Sequence, residues 1–186
     1  MSALAIEAAA LDGVARVLRR PVGDARGAFA RLFCAETLQA AGWRKPIAQI
    51  NLSRTATRGA LRGLHFQRPP AAEMKLVSCI HGAIFDVAVD VRVGSATYGR
   101  WHGEVLSDAN AVSLLIPEGF AHGFQALTDD VEMVYCHSAG YDPSREGGLD
   151  ALDPALAIAW PEPVGGRSAR DQALPSFDQR FQGVVL

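Results

Sequence analysis

Cysteine is scarce: Cys34, Cys79 and Cys136 are the only three in 186 residues. They are odd in number, widely spaced and without a C-x-x-C pair, which argues against a disulfide framework or a zinc site and fits reduced thiols. No apolar run approaches the roughly 18–20 residues that a transmembrane helix needs. The opening Met1-Ser2-Ala3-Leu4-Ala5-Ile6 lacks a positive region and is interrupted by Glu7. No signal peptide is therefore expected, and the reading is a soluble, cytoplasmic protein. An excess of either charge is also missing. Eighteen Lys and Arg against 20 Asp and Glu leave a net charge of −2, with a pI near 6.2. That balance argues against a dense basic face for nucleic acid, though not against a local cationic pocket for a small phosphorylated ligand. No Gly-x-Ser-x-Gly elbow occurs, no glycine-rich loop opens a helix, and there is neither an internal repeat nor a low-complexity stretch.

What is present is ordinary for a globule, with 49% apolar and 20% charged residues, and the length suits one domain. Ten Pro and 18 Gly point to a chain of many turns rather than a helical bundle. The dominant period is two. From Ala83 to Val93, Phe85, Val87, Val89, Val91 and Val93 share one face, while Ile84, Asp86, Ala88, Asp90 and Arg92 share the other. Acids on an inner strand face would line a barrel holding a polar ligand; the alternative is a solvated outer face. Short strands are also expected at Val14–Arg19, Ile47–Leu52, Lys75–His81, Trp101–Leu106, Ser113–Ile116 and Val131–His137. They are separated by turn signals such as Pro69-Pro70 and Pro117-Glu118-Gly119. This spacing reads as a mainly β sandwich, jelly roll or barrel. One short helix is expected over Ala35–Ala41, ended by Gly42. From Gly140 onward the pattern loosens into loops and a short helix wrapped on the barrel, so residues 1–186 read as one domain with 140–186 as its loop-rich tail.

Chemistry concentrates in Arg58-Gly59-Ala60-Leu61-Arg62-Gly63-Leu64-His65-Phe66-Gln67, followed by Lys75. Arg62 and His65 are an odd number apart, so one site can receive both only if the strand bends at Gly63. A His beside cations stays neutral near pH 7 and is available as a base; the plainer alternative is a buried, hydrogen-bonded His. A second cluster, Ile116–Phe124, places His122 after a Pro-Gly turn, which packing alone could explain. In the third, Val131, Met133 and Tyr135 share a core face, and a buried Tyr hydroxyl needs a partner or a task.

Cupin barrels bind metal through His-x-His on one strand plus a Glu and a later His. Here that place reads His65-Phe66-Gln67, and His81, His102 and His137 have no second ligand at strand or helix spacing. No metal site is expected. These motifs, with Gly82–Arg92, Ile116–Phe124, Asp153-Pro154 and Trp160-Pro161, closely resemble the dTDP-4-dehydrorhamnose 3,5-epimerase family, in order and spacing, over about residues 24–176. The resemblance implies a metal-free cupin-type jelly roll with a few short helices that forms homodimers. It also implies conversion of dTDP-4-keto-6-deoxyglucose to dTDP-4-keto-rhamnose for surface polysaccharide. By the same resemblance His65 is the base, Asp171 the carboxylate paired with it, Tyr135 the acid, and Lys75 and His122 lie around the substrate with Asp86 beside them. Arg26, Gln49, Asn51, Arg62 and Glu146 match nucleotide-sugar contacts, and Arg170 stands where Lys is more frequent.

The chemistry supports these roles independently. Inverting a carbon beside a ketone needs a base on one side, an acid on the other and a cation near the enolate oxygen. His65 with Asp171, Tyr135 and Lys75 supply them, Arg26 and Arg62 suit a diphosphate, and the substrate's own keto group removes the need for a cofactor. Besides Arg170, four positions depart from the family pattern: Arg31 for Glu, Ile50 for a polar residue, Gly147 for Arg and Ala151 for Trp. Three alternatives stay open. They are a mono-epimerase acting at C3 or C5 only, a non-catalytic sugar-nucleotide binding module, and a metal-dependent cupin oxygenase or isomerase.

Overall fold

The computed structural model describes residues 3–178 and 181–186; Met1, Ser2, Gln179 and Arg180 lie outside them. Two antiparallel sheets face each other. The first is built from β1 (Leu4–Ala8), β2 (Ala15–Arg19), β5 (Gln49–Thr55), β7 (Lys75–His81), β10 (Val112–Ile116) and β12 (Val131–His137), in the order β1-β2-β10-β7-β12-β5. The second contains β6 (Leu61–Gln67), β8 (Ala83–Asp90), β9 (Trp101–Ser107), β11 (Phe120–Ala126) and β13 (Glu146–Gly148), in the order β13-β6-β11-β8-β9. A small hairpin, β3 (Val22–Asp24) with β4 (Gly27–Phe29), stands apart from both. The result is the expected cupin-type jelly roll with few helices.

Alternation decides which side chains meet. Between the sheets, Val77, Cys79, Ile84, Ala88, Leu114, Phe124, Val131 and Met133 form a buried core. Asp86 shares the parity of Ile84 and Ala88 and is wholly buried, so the acidic face of β8 points inward and the solvated alternative is excluded. The valine face, Val87, Val89 and Val91, is covered by Leu149, Ala151, Leu156 and Val184 from the tail. On the far side of the first sheet, Val17, Leu76 and Leu115 pack against Leu38 and Trp43. Leu38 belongs to α1 (Ala35–Gln39), after which Gly42 takes a φ of +97° close to the expected stop. The tail adds a second short helix, α2 (Ala169–Gln172).

The expected strands at Lys75–His81 and Val131–His137 match β7 and β12 at both ends. Ile116–Phe124 holds the end of β10, the expected Pro-Gly turn and then the start of β11, a strand that the sequence pattern does not announce. Every residue of β11 is buried, so it carries no alternation to read. β1, the β3–β4 hairpin and β13 were not anticipated.

The bend at Gly63 is real and positions the site. His122 pairs with His65 while Phe124 pairs with Arg62, so three steps along β6 oppose two along β11. That extra residue is a β-bulge. Leu61 and Leu64 therefore both reach the outer core, and Arg62 and His65 both turn inward. Gly63 has a φ of +107°, and a Cβ there would lie 2.7 Å from Gly123 Cα and 2.7 Å from the His122 carbonyl oxygen. Both obstacles are backbone. Gly63→Ala is expected to destabilise the fold by at least ~2 kcal/mol, from left-handed strain plus overpacking. A lowered urea midpoint at unchanged m-value would show it.

Candidate active site

One cavity of about 690 Å³ opens between the sheets, lined from one wall by Arg62, His65 and His122 and from the other by Asn51, Lys75 and Tyr135. The tail closes one side with Glu146, Arg170 and Asp171. Residues that are far apart in the chain meet here because alternation and the bulge turn them toward the same space.

His65 Nε2 lies 2.8 Å from Asp171 Oδ1. A carboxylate only accepts, so Nε2 carries the proton and Nδ1 is left with a free lone pair. Asp171 is itself fixed. Its backbone N–H donates to the Ser168 hydroxyl that caps α2 (3.0 Å), its Oδ2 accepts from the Gly63 N–H (3.3 Å), and its carbonyl accepts from Arg167 (2.7 Å). Burial pushes the His65 pKa down and Asp171 pulls it up; burial wins, so the imidazole is held below its ordinary 6.5. A neutral, oriented imidazole at pH 7 is what a general base requires.

Tyr135 stands on the opposite wall. Its hydroxyl lies 3.1 Å from the Ser53 hydroxyl, and burial pushes its pKa well above the ordinary value, against the Ser53 hydrogen bond. It therefore stays protonated and able to donate. Next to it, His122 Nε2 donates to Asp86 Oδ1 at 2.7 Å, both groups being buried. Lys75, one of only two lysines in the chain, places its ammonium 3.4 Å from the His65 carbonyl oxygen and 3.2 Å from Glu73 Oε1.

The binding residues divide. Arg62 lines the cavity and donates to the Arg54 carbonyl at 3.0 Å. Gln49 lies behind Asn51 and donates to its Oδ1 at 3.0 Å. Glu146 pairs with Arg170 and accepts from the Tyr141 hydroxyl at 2.6 Å. Arg26 is not brought in: it sits on the exposed β3–β4 hairpin, paired with Asp24 at 2.7 Å. Arg31 is likewise exposed and outside the cavity. Ile50 points outward from β5, and Gly147 lies against the Phe66 ring, where a Cβ would come within 2.6 Å of it. The carbonyl of Ala151 accepts from the Trp160 indole at 2.8 Å. Sequence reasoning missed Glu73 and His137 as site residues. Both line the cavity, with His137 Nδ1 2.8 Å from Glu73 Oε2. Their signal was available: Glu73 stands two residues before Lys75, and His137 two after Tyr135.

The chain is similar to known proteins over most of its length. A family model described as dTDP-4-dehydrorhamnose 3,5-epimerase matches residues 8–179. The chain is 40% identical over 177 residues to the dTDP-4-dehydrorhamnose 3-epimerase of Streptomyces niveus, covering 94% of this chain and 85% of the relative. Identity to the dTDP-4-dehydrorhamnose 3,5-epimerase of Mycobacterium tuberculosis is 42% over 167 residues, covering 87% and 82%. Among solved structures, the dTDP-6-deoxy-D-glucose-3,5-epimerase of Legionella pneumophila in complex with dTDP-4-keto-L-rhamnose matches with a TM-score of 0.89. Its identity is 37%, and the match covers 97% of this chain and 98% of that one.

Proposed function

The chain belongs to the dTDP-4-dehydrorhamnose 3,5-epimerase family, an isomerase family, and from that premise we propose that it epimerises dTDP-4-keto-6-deoxyglucose at C3 and C5 through an enolate. The observation that carries this reading is the placement of His65 and Tyr135 on opposite walls of one cavity. Inversion removes a proton from one face of a carbon and returns one to the other, so base and acid must face each other across the sugar.

In this reading His65 Nδ1 takes the proton beside the ketone, and Asp171 stabilises the imidazolium that forms. Negative charge gathers on the C4 oxygen, where the Lys75 ammonium stabilises it. The Tyr135 hydroxyl then delivers a proton from the opposite side, giving the inverted carbon and the regenerated ketone. Arg62 and Arg170 suit the diphosphate. Proton exchange with solvent through the cavity then returns His65 to its neutral form and Tyr135 to its phenol, so the steps balance without an added oxidant or reductant.

A homodimer in the cytoplasm belongs to the same reading. The β3–β4 hairpin exposes Val22 and Phe29, and the edge strand β5 exposes Ile50 and Leu52. Burying these apolar side chains against a second copy would cover an open sheet edge and offers a route for Arg26 to reach a neighbouring site.

The second reading is a mono-epimerase acting at C3 alone, favoured by the similarity to the Streptomyces niveus 3-epimerase over 94% of this chain. The catalytic set would be the same in both cases. Deuterium exchange from solvent separates them: exchange at C3 and C5 for the double epimerase, at C3 only for the mono-epimerase.

A further inference from the structure

Behind the proposed machinery runs a hydrogen-bond chain whose direction follows from its heavy atoms alone. It begins at the backbone N–H of Tyr141, which can only donate and lies 3.1 Å from Gln49 Oε1. Gln49 is thereby oriented, and its Nε2 faces Asn51 Oδ1 at 3.0 Å. Asn51 in turn presents Nδ2 to His137 Nε2 at 3.4 Å. Flipping either amide would set donor against donor or acceptor against acceptor. His137 Nε2 must therefore accept, which leaves its proton on Nδ1, and Nδ1–H donates to Glu73 Oε2 at 2.8 Å. The other oxygen of Glu73 meets the Lys75 ammonium at 3.2 Å.

The sheet places these groups in a row. Gln49, His137 and Lys75 are direct partners across β5, β12 and β7. The side chains of Glu73, Lys75 and His137 are only 10%, 9% and 12% exposed. Lysine has a flexible four-carbon stem and three rotatable donors, so on its own it does not hold one position. Here a carboxylate gripped at its far oxygen by His137 offers it a fixed acceptor. Burial raises the Glu73 carboxyl, but the His137 hydrogen bond and the Lys75 charge outweigh it and bring it below the ordinary value. Glu73 is thus held ionised.

We propose that His137 and Glu73 are positioning residues: a third histidine–carboxylate pair in the cavity, which aims the Lys75 ammonium and ties it to the amides of Gln49 and Asn51. This rests on the reading of Lys75 as the cation that meets the enolate oxygen. Displacing such a group by 1 Å costs on the order of a hundredfold in rate, so the pair acts on the chemical step rather than on binding.

Two substitutions separate this role from packing. His137→Gln keeps an acceptor for Asn51 and a donor for Glu73. His137→Phe cuts the chain but keeps a ring against Tyr135, whose centroid lies 6.1 Å from that of His137. In His137→Phe kcat should fall about ten- to a hundredfold with KM within about twofold, while His137→Gln stays within about threefold of the wild type. A ring needed only for packing would give the opposite order, and that order, or equal rates in the two variants, overturns the proposal. A second measurement needs no substrate. In the ¹⁵N-histidine NMR spectrum at neutral pH, the imidazole missing from His137→Phe should show a protonated Nδ1 and a bare Nε2. A protonated Nε2 overturns the relay whatever the protein does to the sugar. If the wild type failed to turn the sugar over, the functional reading would fall, while the tautomer would still decide the relay.

Discussion

His65→Asn is expected to lower turnover by about 10²–10⁴-fold, the range that a general base contributes, and to leave the fold intact. The asparagine amide keeps a donor near Asp171, whose side chain is 6% exposed, so no buried carboxylate is stranded and the melting temperature should move by no more than a few degrees. Steady-state rates with matched circular dichroism melts would show both. In the proposed mechanism the same residue sets the acid limb of the pH profile. Only neutral His65 can accept the proton, and burial holds its pKa below 6.5 in spite of Asp171. The rate in kcat/KM should therefore be full near pH 7 and fall as pH drops through a midpoint below 6.5. Asp171→Asn removes the influence that raises this pKa, so its acid limb moves further down while the maximal rate falls. A limb that moved up instead would contradict the pairing.

Tyr135→Phe separates two events that the wild type couples. Turnover should fall by about 10²-fold or more with the loss of the acid, while loss of substrate C–H signal to solvent persists. Deprotonation by His65 is untouched, and the enolate can be reprotonated by His65 from the face it left. Exchange without inversion is the signature, seen by comparing deuterium incorporation with product formation in one sample. Near-equal loss of both would move the acid's task to another group. The hydroxyl is part-buried and held at 3.1 Å by the Ser53 hydroxyl on the cavity wall, and phenylalanine leaves no donor in that place.

Much of this site was legible in the sequence, for physical reasons that differ from residue to residue. Tyr135 was placed inward because Val131 and Met133 share its parity on β12. Arg62 and His65 were expected to converge because an odd spacing with Gly63 between them forces a bend, and the bulge is found there. Asp86 and His122 were named as polar neighbours, and the structure joins them directly. β11 was missed because burial on both faces erases the alternation by which a strand is recognised. Glu73 and His137 share the parity of Lys75 and Tyr135, but their partnership forms only because β12 lies beside β7, which spacing within either segment does not show. Arg26 was named by resemblance, yet the folded chain keeps it on an exposed hairpin, since nothing in its own neighbourhood draws it inward.

The central claim is that one cavity removes and returns protons beside a ketone, and proton NMR in deuterated water tests it most directly. With dTDP-4-keto-6-deoxyglucose, the wild-type protein should erase the C3 and C5 proton signals while product forms, and His65→Asn should leave both signals in place. Retention of both signals with the wild-type protein would contradict the account.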